Sequence, residues 1–94
     1  VPELKDRLAA RQDIDAPLAP AWSLIVQAAD MGFLRASELD ELMEQLEGDG
    51  DWGSDELTFD VMDGELRVRL HDLEAWCNPK DMLAALARVA KESM

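Results

Sequence analysis

Tyrosine is absent from this 94-residue chain, and cysteine and histidine occur once each. A single cysteine cannot close an internal disulfide, so nothing points to a secreted, cross-linked scaffold. One cysteine and one histidine also cannot assemble the usual zinc ligand sets. His71 is placed on the solvent side of a strand and Cys77 on an apolar face, with no oxyanion-stabilising group beside them. No nucleophile-and-base pair is read from them. No catalytic residue, no metal ligand and no cofactor are expected.

Long apolar runs are missing too. The nearest, APLAPAWSLIVQAA over 16–29, holds two prolines and is too short to span a bilayer. The opening VPELKD has no basic stretch followed by an apolar run, so no secretion signal is read from it. The expectation is a cytoplasmic protein with no membrane partner.

The most telling absence is of positive charge. Between Arg35 and Arg67 lie twelve acids and not one Lys or Arg, whereas residues 1–35 sum to −1 and residues 67–94 to +1. The middle third therefore carries the whole net charge of −12. About half the residues are apolar and about a third charged, a balance that suits one folded domain over 1–94 with a single modest core.

Within that frame the elements follow from period and punctuation. VPELKDRLAARQ reads as a short helix, with Pro2 and Glu3 at its start and Leu4 and Leu8 on one side. DIDAPLA, 13–19, reads as a linker. A second helix takes Pro20 as its first position and buries Trp22, Ile25, Val26 and Ala29. Leu24, Ala28 and Met31 widen its stripe, and Gly32 ends it. SELD, 37–40, resembles a capping box, with Ser37 as cap and Asp40 reaching back. Leu39, Leu42, Met43 and Leu46 then form a third helical stripe, stopped at Gly48.

A two-stranded antiparallel hairpin over about 56–71 follows, closed by Asp63-Gly64, a preferred type I′ pair. This turn pairs Val61 with Leu66, Phe59 with Val68 and Leu57 with Leu70 on one face. Asp60 with Arg67, Thr58 with Arg69 and Glu56 with His71 fall on the other. Asp72 is expected to cap one helical turn carrying Leu73, Trp76 and Cys77, with Trp76 in the core. Asn78-Pro79 then opens a C-terminal helix over about 79–92. The fold class is α+β: three helices, the hairpin and a last helix.

Three helices before a hairpin is also the order of a winged-helix DNA-binding domain. The helix that would enter the major groove is SELDELMEQLE, however, and its Glu38, Asp40, Glu41, Glu44 and Glu47 would repel phosphate. Direct nucleic-acid binding is excluded on that ground. The glycines of GDGDWG do not rescue a phosphate site, because the acids between them are repulsive as well.

Residues 47–56, EGDGDWGSDE, hold five acids, three glycines and a tryptophan. Counted as an EF-hand from Asp49, the loop has Gly53 where an oxygen ligand is needed. It has Ser54 at the glycine position and Asp60 where a bidentate Glu belongs. The match fails. A weak divalent-metal site through Asp49, Asp51 and Asp55 is the remaining metal reading. Trp52 either tucks onto the core or stands out as an anchor for a partner.

Glu44 and Glu47 sit in the last turn of their helix, where the macrodipole disfavours anions by about 0.3–1 kcal/mol each. A surface maintained against that cost points either to a basic partner or to simple solubility. The leading expectation is a non-catalytic acidic module that offers Glu38, Glu41, Glu44, Glu47, Asp49, Asp51 and Asp55, with Trp52 as anchor, to a basic protein partner. An inhibitor or immunity-type protein is the sharper form: it would mimic nucleic acid over a nucleic-acid-binding or nuclease surface. A structural subunit or homodimer, pairing through the hairpin strands as edges, is the alternative. A divalent-metal-responsive domain is the third.

Overall fold

A computed structural model of the chain describes residues 3–12 and 14–92. Helix α1 (Leu4–Ala9) buries Leu4 and Leu8, and α2 (Ala19–Asp30) buries Ala21, Trp22, Leu24, Ile25 and Ala28. The expectations for Pro2 and Asp13 lie outside the described residues. The Trp22 indole N–H donates to the Leu8 carbonyl at 2.8 Å, so this buried aromatic is polar-satisfied and ties α2 to α1. Pro20 occupies the second rather than the first position of α2. Met31, expected on the buried stripe, is 54% exposed just past the helix end. Gly32, at φ 87°, closes α2 as expected: its N–H donates to Ala29 O, and Phe33 N–H reaches back to Ala28 O.

A 3₁₀ turn (Ala36–Glu38) leads into α3 (Leu39–Glu47), which buries Leu39, Leu42 and Leu46. Ser37 does not cap. It lies inside the 3₁₀ turn, and Glu38 Oε1 accepts the Arg35 N–H at 2.9 Å in place of the expected Asp40 contact. The chain enters helical geometry two residues earlier than the SELD pattern implies, with Arg35 and not Ser37 at the cap position. Gly48 is not the left-handed stop either: it has φ −91°, and Asp49 takes φ 57°. Asp49 N–H donates to Leu46 O and Gly50 N–H to Gln45 O, the double closure of a Schellman end shifted one residue on.

The hairpin register stands as expected, with β2 (Leu57–Met62) and β3 (Glu65–Leu70) paired from Leu57↔Leu70 to Met62↔Glu65. Asp63 and Gly64 have φ 53° and 79°, as a type I′ turn requires. Two strands, however, are not the whole sheet. Trp52–Gly53 forms β1 against Phe59 and Thr58, and Leu73–Cys77 forms β4 against β3, giving an antiparallel order β1-β2-β3-β4. Residues 73–77 are therefore a strand and not a helical turn. Leu73, Trp76 and Cys77 fit an i, i+3, i+4 spacing, but Leu73, Ala75 and Cys77 fit period 2 equally well. The unpaired outer edge of β3 favours the strand, whose ladder satisfies backbone groups that one isolated helical turn would leave open.

Helix α4 (Pro79–Glu92) opens where expected, with Asn78 Oδ1 accepting the Lys80 N–H at 2.8 Å and the Asp81 N–H at 3.3 Å. The helices cover one face of the sheet, α2 lying against β3 and β4 and α3 against α4, β1 and β2. Leu57, Phe59, Leu66, Val68, Leu70, Met82, Leu86 and Val89 meet between the layers. Among the described residues the buried set is entirely apolar. The other sheet face is left to solvent.

Candidate functional site: an acidic groove at the β1 edge

The expected site residues divide in the structure. Glu38, Glu41 and Gln45 fall at i, i+3, i+7 along the 3₁₀ turn and α3, and so form one stripe. That stripe faces β1, and together with Asp51, Trp52 and Gly53 it lines a groove. Glu44 and Glu47 lie on another side of α3. Asp49 is used in closing the helix, and Asp55 is exposed on the loop into β2. None of these four lines the groove. Glu38, Glu41, Asp51 and Trp52 are thus brought together, and Glu44, Glu47, Asp49 and Asp55 are not.

Two local devices hold the groove wall. Trp52 is half-buried: its ring meets Phe59 edge-on at 5.9 Å between centroids, which anchors β1 to the core while leaving part of the indole outward. Trp52 therefore tucks onto the core, the first of its two readings, while staying partly exposed. Gly53 has φ 144°, and a Cβ there would lie 2.1 Å from Leu57 O and 2.7 Å from Thr58 Cα. Only glycine lets the chain press this closely onto β2, where Ser54 N–H donates to Leu57 O at 2.8 Å.

On the other side of Trp52-Gly53 a second depression is lined by Asp51, Thr58, Phe59, Asp60 and Arg69. Asp60 Oδ2 accepts from Arg67 at 2.7 Å, a bond that raises the Arg67 pKa and holds the guanidinium firmly charged. Arg67 also lies 5.8 Å from the centre of the Trp76 ring. Asp60 Oδ1 and Thr58 Oγ1 are buried with no hydrogen-bond partner among the described residues, and Arg69 is the one base lining this depression. Asp51 stands between the two depressions and lines both.

Trp76, expected in the core, is 40% exposed on the open sheet face, with its indole N–H donating to Glu74 Oε1 at 2.8 Å. Strand period turns it outward where helical period would have turned it in. Cys77 is buried, and burial, with the Asp81 carboxylate behind it, pushes its thiol from 9.0 up to about 12. Such a thiol is not an available nucleophile. His71 is exposed in the β3–β4 turn at φ 54°, its ring edge-on to Phe33 at 5.3 Å. No three Asp, Glu, His or Cys side chains converge as a metal site would need among the described residues, so Asp49, Asp51 and Asp55 do not form one.

Gln45, Gly53, Thr58 and Arg69 line these depressions although the sequence did not mark them as site residues. The 38/41/45 spacing was legible, but a stripe says nothing of what it faces until β1 is in place. Among the described residues no helix is long and apolar enough to cross a membrane. No family model, no curated protein and no solved structure matches the chain, so the chemistry of its surface is the guide to what it does.

Proposed function

We propose that the chain is a non-catalytic acidic protein-binding module whose groove between α3 and β1 receives basic side chains of a partner protein. The observation that carries this reading is the convergence of Glu38, Glu41 and Asp51 around the outward part of Trp52, with no Lys or Arg among the groove residues. Carboxylates accept charge-assisted hydrogen bonds from Lys or Arg, and an indole face attracts the same cations. A surface that binds phosphate through Lys and Arg is the natural complement. An inhibitor or immunity-type protein acting as a nucleic-acid mimic over such a surface is the form we favour.

The test is capture of partners from the source cell's lysate by two variants that lose equal charge. One carries Glu38→Gln, Glu41→Gln and Asp51→Asn in the groove. The other carries Glu44→Gln, Glu47→Gln and Asp55→Asn outside it. A basic protein retained by wild type and by the second variant, lost by the first and eluted by salt, is the expected result. Equal behaviour of the two variants would reduce the acids to a general solubility device.

A further inference from the structure

The notion that β2 and β3 are free edges fails, because β1 covers one and β4 the other. The true edges are unequal. β1 is two residues long and is tied down at Gly53, whereas β4 presents five residues, LEAWC, with no proline, glycine or lysine to blunt pairing. Leu73 and Trp76 at this edge are 51% and 40% exposed.

We infer that β4 is a self-pairing edge through which two copies of the chain join their sheets into one antiparallel sheet of eight strands. The hydrogen-bonding phase of the strand selects the register. Leu70↔Leu73 brackets the two-residue turn His71-Asp72 and so forms a hydrogen-bonded pair, as do Val68↔Ala75 and Leu66↔Cys77. The N–H and C=O groups of Glu74 and Trp76 consequently point away from β3, and among the described residues no strand lies beyond them. A two-fold axis through Ala75 sets Glu74 opposite the partner's Trp76 and Trp76 opposite the partner's Glu74. Both outward residues of each copy then exchange N–H and C=O groups, making four hydrogen bonds. A register centred on Glu74 would instead place two carboxylates face to face, which is repulsive.

Charge on the outer face agrees with that register. Asp60 pairs with Arg67 and Arg67 with Trp76 across the sheet, while Arg69 pairs with Glu74. Across the junction the row runs Asp60, Arg67 and Trp76, then Glu74 and Arg69 of the second copy, with no like charges adjacent. On the helix side Leu73 meets the second copy's Cys77, which covers apolar surface otherwise exposed. The acidic groove, with Glu38, Glu41 and Asp51, lies at β1, the opposite edge of the sheet, so those acids are away from the junction and both grooves stay open.

Sedimentation equilibrium of the full chain over a range of concentrations tests this, alongside two variants. Glu74→Lys places a cation beside Arg69 on an exposed position. Trp76→Pro deletes an outward N–H that β3 does not use. The expected result is a reversible dimer, weakened about tenfold or more by each variant, with circular dichroism unchanged for Glu74→Lys. In a Cys77→Ala background, Ala75→Cys should cross-link copies on oxidation, because non-hydrogen-bonded antiparallel partners lie about 4.5 Å apart at Cα, within disulfide range. A wild-type chain that stays monomeric at every concentration overturns the inference. So does a dimer that a folded Glu74→Lys leaves intact, or one that Ala75→Cys does not cross-link.

Discussion

Gly53 carries more of the candidate site than any charged residue does. Its φ of 144° and the 2.1 Å separation from Leu57 O to a would-be Cβ mean that Gly53→Ala cannot keep β1 seated. Loss of about 2 kcal/mol or more in urea unfolding is expected, together with loss of partner capture, since Trp52 moves with the strand. Cys77 gives a second prediction at this scale. Its thiol titrates near 9.0 when unfolded and at about 12 when folded. Above pH 9 the unfolded chain therefore releases a proton that the folded chain retains. The stability due to the buried neutral thiol is complete below pH 9 and is lost as pH climbs toward 12. Urea midpoints measured across that window should fall for wild type and fall less steeply for Cys77→Ala. Thiol reagents near neutral pH should label Cys77 at the rate of unfolding.

At the scale of elements, helix ends and strand edges matter most. The end of α3 rests on Asp49 in a left-handed conformation, next to a last turn that already holds Glu44 and Glu47 and no base. Asp49→Gly relieves both the backbone strain and one like charge, and should raise stability by about 1 kcal/mol, a Tm rise of about 4–8 °C for a domain of this size. Gly48→Ala is the contrasting case. Gly48 has φ −91°, and a Cβ there meets nothing closer than 3.9 Å, so its effect should be small. A Tm lowered by Asp49→Gly would mean that the aspartate side chain contributes something the helix end needs. The two sheet edges differ in the same physical terms: β1 is held by a glycine contact and an aromatic one, and β4 by its ladder to β3 and by α2 packed against it.

Across the whole molecule, charge is polarised along the sheet. Glu38, Glu41 and Asp51 gather at the β1 edge, while Arg67 and Arg69 alternate with Asp60 and Glu74 toward β4. An uncompensated field on one side steers a basic partner from a distance, and salt screens it. The association rate with the captured partner should fall about tenfold or more between low and physiological salt, with the dissociation rate changing much less. A rate indifferent to salt would leave the acidic edge without a role in recognition. The β4 junction, built from main-chain bonds and alternating charge, should respond far less to the same change in salt.

How much of this was legible in the chain depends on how local each signal is. The start of α4 and the β2–β3 register were readable to the residue, because Asn78-Pro79 and Asp63-Gly64 set dihedral angles within a few positions of themselves. The stripes of α2 and α3 were readable because apolar period is a property of one element. The end of α3 was readable only to within a residue, since Gly48 and Asp49 both sit at its C-terminus and only the closed loop shows which turns left-handed. β1 and β4 were not readable. Two residues have no period, and LEAWC satisfies the helical and strand periods alike, so the open edges of the hairpin made the choice. That choice turned Trp76 from core to surface, placed β1 opposite the Glu38, Glu41 and Gln45 stripe, and thereby separated the acids that share a groove from those that do not. Sequence by itself determined where along the chain charge is concentrated, and it determined the longer helices and the β2–β3 hairpin. Tertiary structure decided which of those charges meet, because that depends on backbone hydrogen bonds between strands far apart in the chain.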